Sequence, residues 1–107
     1  MSRHRFLLAY DISDDKRRAK VYRTLLDVAD RVQFSVFVAD LNERELIQTR
    51  VKLRERINQD ADQILFIDLG PADTDPLDRI SALGKPYLAG ERVHQGLITV
   101  ETQLAGF

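Results

Sequence analysis

The apolar residues of the chain fall into short runs separated by charged segments, and the spacing inside each run predicts an element. Phe6, Leu7, Leu8, Ala9 and Tyr10 form a continuous apolar run within Arg5–Ile12, closed by Asp11 and the turn-forming Ser13, Asp14 and Asp15. Such a run, bounded by turn signals, reads as a buried strand with Asp11 at its C-terminal end. Ser13 or Asp14 caps the next helix, whose Tyr22, Leu25, Leu26 and Ala29 recur at helical spacing and form a core stripe. Lys16, Lys20 and Arg23 share another of its faces.

Between Arg31 and Leu41, Val32, Phe34, Val36 and Val38 alternate with Arg31, Gln33, Ser35 and Phe37, which predicts a single strand. A tight hairpin at Phe34-Ser35 is the alternative, although no Gly, Asn or Pro marks its turn. Asn42 followed by Glu45 is the pattern of a capping box. It opens a helix with Leu46, Ile47, Val51, Leu53 and Ile57 toward the core and Arg50, Lys52, Arg54 and Arg56 in solvent. After the loop Asn58–Asp62, Ile64–Leu69 reads as a second buried strand broken by Gly70-Pro71, and Pro76 begins a short helical turn. Ile80–Leu83 and Gly96–Glu101 are short strand candidates on either side of the turn-prone Gly84–Gln95. The order β-α-β(β)-α-β, with helices on one face of a sheet, suggests an α+β sandwich.

Composition narrows the partners. A chain of 107 residues, 44% hydrophobic, has enough apolar material for one core, so residues 1–107 read as a single domain. No apolar run approaches the roughly 20 residues that span a bilayer, and a soluble, cytoplasmic protein with no membrane partner is expected. The absence of cysteine excludes disulfides and thiolate zinc sites. Oxygen ligands for a hard cation, magnesium or manganese, remain. His4 and His94 lie far apart and read as ordinary surface or strand residues.

A net charge of −1 gives no global attraction to nucleic acid. Its distribution is uneven, however: Lys16, Arg17, Arg18, Lys20 and Arg23 follow Asp11, Asp14 and Asp15 without an intervening acid. That block is either a solvated helix face or a set of phosphate contacts. Asp11, in turn, either caps its turn through backbone amides or holds a cation at the strand end. Tyr10 and Phe37 could stack on bases, but short strands need large apolar residues, and core or dimer packing is the expected role.

Two segments carry a family resemblance. Leu8-Ala9-Tyr10-Asp11-Ile12-Ser13-Asp14-Asp15-Lys16-Arg17-Arg18 resembles the first motif of the small CRISPR-associated adaptation family Cas2, an apolar strand ending in Tyr-Asp and followed by Asp and Arg. Arg31-Val32-Gln33-Phe34-Ser35-Val36-Phe37, one helix later, is similar to that family's Arg-Val-Gln-x-Ser-Val-Phe, so Tyr10, Gln33, Ser35 and Phe37 are motif positions. The likeness covers roughly residues 5–70. It implies a ferredoxin-like β-α-β-β-α-β sandwich with an additional C-terminal strand, paired through its sheet into a homodimer, and it favours the hairpin.

The resemblance further implies that Asp11 from each of two subunits flanks a magnesium or manganese site at the dimer axis, assigned to cleavage of RNA or DNA. Lys16, Arg17, Arg18 and Arg31 become the expected nucleic-acid contacts. The family also acts as a scaffold that bridges pairs of the Cas1 integrase during spacer acquisition. Two carboxylates about 4 Å apart repel by about 4 kcal/mol at an effective dielectric near 20. A divalent cation or a proton must relieve that, so metal binding should strengthen as pH rises.

Three functions are therefore carried forward: a metal-dependent endonuclease using Asp11, a non-catalytic DNA-bridging scaffold, and a ferredoxin-like domain for a small regulatory ligand. The last has least support, because the loop after the first strand holds no glycine and its acids would repel an anionic effector.

Overall fold

The alternation expected of a half-covered strand is visible in the first element of the computed structural model, which describes residues 2–73 and 80–84. Strand β1, His4–Asp11, sends Phe6, Leu8 and Tyr10 to one face, while Leu7 and Ala9 take the other. Helix α1, Asp15–Leu26, is capped by Asp14, whose carboxylate accepts the Arg17 amide at 2.9 Å. Strands β2, Asp30–Gln33, and β3, Val36–Leu41, follow, then helix α2, Glu43–Arg54, and strand β4, Gln63–Pro71. The sheet order is β2-β3-β1-β4, with every neighbouring pair antiparallel. This is the ferredoxin-like topology expected of the sequence, with both helices on one face.

The core lies between that face and the helices. Phe6, Leu8, Tyr10, Phe37, Ala39 and Leu41 from the sheet meet Val21 and Leu25 of α1 and Leu53 of α2. The helix stripes differ from expectation. In α1 the buried pair is Val21 and Leu25, while Leu26 turns outward. In α2, Leu46, Thr49 and Leu53 face inward, joined by Ile57 just past its end, but Ile47 and Val51 are exposed. The inward set keeps the three-and-four spacing of one helix face, and Ile47 and Val51 fall on the other side of the helix. The capping box forms in full: Asn42 accepts the Glu45 amide at 2.8 Å and Glu45 accepts the Asn42 amide at 2.9 Å.

Residues 31–41 form the hairpin rather than a single strand. Gln33 pairs with Val36 across the turn Phe34-Ser35, and a register shift between Arg31 and Gln33 places an extra residue in β2. Tight hairpins ordinarily use positive-φ turn residues to match the strand twist. Among the described residues no non-glycine has a positive φ, and a bulge is an alternative source of that twist. The alternation along β3 is real: Phe37, Ala39 and Leu41 face the helices, while Val36, half-buried, and Val38, only 1% exposed, lie on the opposite face.

Strand β4 also departs from expectation. It is an edge strand, half-exposed rather than buried, and Gly70-Pro71 extends it instead of breaking it. Proline is tolerated at such an edge, and Gly70 supplies the φ of 100°. Ile80–Leu83 is not a strand. A four-residue run with one β-branched residue has little β preference of its own. Pro76, residues 85–95 with His94, and the Gly96–Glu101 candidate lie outside the described residues.

Candidate metal and nucleic-acid site

Asp11 ends β1 on the sheet face away from the helices. It stands opposite Gln63 of β4, in register with the pairs Ala9–Leu65 and Leu7–Ile67. Leu65 and Ile67 are each 46% exposed. On the other side of β1 the same face carries Val36, Val38 and Asp40, opposite Ala9, Leu7 and Arg5. An apolar strip therefore runs along this face, its Val38 buried, with the exposed Asp11 at one end and the Arg5–Asp40 pair at the other.

The loop after Asp11 is held by arginines. Arg18 donates to the carbonyls of Ile12 and Ser13 at 3.0 and 3.2 Å and pairs with Asp15. Arg17 makes a two-point contact with Asp62, Nε to Oδ2 at 2.7 Å and Nη2 to Oδ1 at 3.2 Å. Asp62 also accepts the Asn58 amide at 2.8 Å, which ties the α2–β4 loop to the start of α1. Asp62 carries no local signal of this role, because its partner is distant in the chain, although an Asn–Asp loop is where side chain–backbone bonds are expected. Arg31 lies against two rings, 5.7 Å from the Tyr22 centroid and 5.5 Å from that of Phe34. Among the described residues Lys16, Lys20 and Arg23 form no side-chain ion pair.

The remaining motif residues support the backbone and core. Tyr10 is buried, stacks with Phe37 at 6.2 Å between centroids, and donates its hydroxyl to the Phe34 carbonyl at 3.2 Å. Burial raises its pKa. Phe37 has no exposure, so neither ring is open to a base. The Ser35 carbonyl accepts the Tyr10 amide at 3.1 Å, and Gln33 closes the hairpin. His4 binds Asp68 at 2.9 Å at the opposite end of β1 from Asp11, where it is an ordinary surface histidine.

The Arg17 contact, then the Asn58 amide, hold the Asp62 carboxyl below the usual carboxylate range. A depressed folded pKa gives stability that is complete above the unfolded value, about 3.9, and is lost as pH falls through the folded value. In a carbon-13 carboxyl titration Asp62 should therefore still be largely ionised where a free aspartate is half protonated. An ordinary midpoint would show that the Arg17 contact is not formed in solution.

As for metal, no group of three acidic or histidine side chains converges among the described residues. One chain offers a single carboxylate, Asp11. Magnesium is commonly held by one or two carboxylates with waters and phosphate oxygens completing the shell. The donor set thus fits a hard cation if two copies bring their Asp11 side chains together.

Known proteins resemble this chain in sequence and fold. Residues 4–75 match the family described as CRISPR associated protein Cas2. The chain is 36% identical over 89 residues to the CRISPR-associated endoribonuclease Cas2 1 of Rhodospirillum rubrum, covering 83% of this chain and 86% of that one. It is 29% identical over 84 residues to the CRISPR-associated endoribonuclease Cas2 of Geobacter sulfurreducens, covering 78% and 87%. Among solved structures, a hypothetical protein of Thermus thermophilus superposes with a TM-score of 0.70 at 30% identity over 82% of this chain and 99% of its own. Cas2 of Streptococcus pyogenes gives 0.66 at 28% identity over 75% and 99%.

Proposed function

This chain belongs to the CRISPR-associated Cas2 family, and from that premise we propose that it works as a homodimer that binds nucleic acid and cuts it at a site built from two Asp11 side chains. The observation that carries the reading is the position of Asp11, exposed at the end of an apolar strip on the sheet face away from the helices. A two-fold contact through that strip uses the same patch on both copies. It would buries Leu65 and Ile67 and brings equivalent strand ends toward one axis.

In the bound state the two carboxylates would hold magnesium or manganese, which supplies Lewis-acid polarisation of a phosphate oxygen. The chain's own groups position the strand: Arg31, Lys16 and the outer edges of Arg17 and Arg18 face the backbone, which they meet without reading bases. Arg17 and Arg18 already serve the fold, so Lys16 and Arg31 carry more of the phosphate contact than equal shares would give. Among the described residues no histidine stands near Asp11 to act as general base, and slow turnover is expected. The endoribonuclease names of the relatives support the RNA arm of this reading. Duplex DNA as a substrate and partnership with the Cas1 integrase in spacer acquisition belong to the second reading, a scaffold, favoured by that sparse catalytic equipment.

Pairing is testable without substrate. Sedimentation at tens of micromolar should show a dimer, and Ile67→Glu, which places a charge in the apolar strip, should give monomers that remain folded. A wild type that sediments as a monomer would remove the shared site.

A further inference from the structure

Phe34 is 68% exposed at the tip of the β2–β3 hairpin, between the polar Gln33 and Ser35. A solvated aromatic in a polar setting is poor material for a protein interface, whose centre needs contiguous apolar surface. The surroundings are cationic instead. The Arg31 guanidinium lies over the Phe34 ring and reaches the Tyr22 hydroxyl at 3.5 Å. The tip is tied down because Tyr10 donates to the Phe34 carbonyl. A cation and an open ring therefore meet on a braced turn.

Building on the nucleic-acid reading above, we infer that Phe34, backed by Arg31, is a stacking platform for an unpaired nucleobase, so the protein prefers single-stranded or splayed strands to blunt duplex. Every base has a π-face, so the contact gives strand-state preference without sequence preference. The Arg31 guanidinium beside the ring holds the adjoining phosphate. Phe37 and Tyr10, the rings at the motif positions, are buried and cannot serve.

The chain contains no tryptophan, so Phe34→Trp installs a single reporter at the tip. Binding of labelled single-stranded RNA and of a blunt RNA duplex is measured by anisotropy with chelator present, for wild type, Phe34→Ala, Phe34→Leu and Phe34→Trp. Loss of about tenfold in single-strand affinity for the Ala and Leu variants, within the range of a base–aromatic stack, is expected. Duplex affinity should be unchanged, and Phe34→Trp should bind like wild type with its fluorescence quenched by the strand. Equal affinity in all four proteins, an equal loss on duplex, or a change in dimer mass with Phe34→Ala overturns the platform. A wild type that binds neither strand removes the nucleic-acid reading itself, before any variant is compared.

Discussion

Asp40→Ala is expected to cost about 3 kcal/mol of folding stability, near the lower end for breaking a buried ion pair. Arg5 and Asp40 are direct cross-strand partners on the sheet face away from the helices. The guanidinium meets the carboxylate through Nε at 2.7 Å and Nη2 at 2.8 Å, with side chains only 9% and 24% exposed. Removing the acid takes the neutralising charge from a largely desolvated cation, and a neutral acceptor such as the Ala72 carbonyl at 3.3 Å does not replace it. The double change Arg5→Met with Asp40→Leu should recover most of the loss, because no charge is then left buried. Denaturant midpoints measure both. A single-variant cost below about 0.5 kcal/mol, the scale of an ordinary surface change, would mean the pair is solvated.

Asp11→Ala is expected to lower metal-dependent cleavage by at least about a hundredfold, the scale of losing one electrostatic contact to a developing charge. Its effect on folding should be small, since Asp11 is exposed at a strand end. Its effect on the metal-free dimer should be favourable, because the substitution removes the like-charge repulsion between two facing carboxylates. That combination of activity lost and pairing kept or tightened separates a metal-holding role from a structural one. A dimer that weakens in the variant would show that Asp11 holds the interface together instead.

Much of this arrangement was legible from local pattern. The run Phe6–Tyr10 and its terminal Asp11 marked a strand end, and Asp14 and the Asn42–Glu45 box marked helix starts, because caps are short-range chemistry. The motif around Tyr10-Asp11 and the Arg31-to-Phe37 segment pointed to the family and so to the hairpin. What failed depended on tertiary context. Val36 and Val38 alternate with Phe37, and helix packing decided that Phe37 faces the helices while Val38 is buried on the opposite face. Ile47 and Val51 are apolar yet exposed, a placement that composition does not forbid. Arg17 read as a free phosphate ligand because Asp62 lies 45 residues away in the chain. Phe34, counted toward the strand's apolar face, became the exposed ring once the chain turned there.

The shared Asp11 site is tested most directly by incubating labelled single-stranded RNA and duplex DNA with wild type and Asp11→Ala. Magnesium or manganese is supplied in turn, from about pH 6 to about pH 9, a range over which hydroxide generated from metal-bound water becomes more available. Cleavage that needs metal, rises with pH and vanishes in the variant is the predicted result. No cleavage by the wild type, or cleavage undiminished in Asp11→Ala, would contradict the site and leave the protein a scaffold.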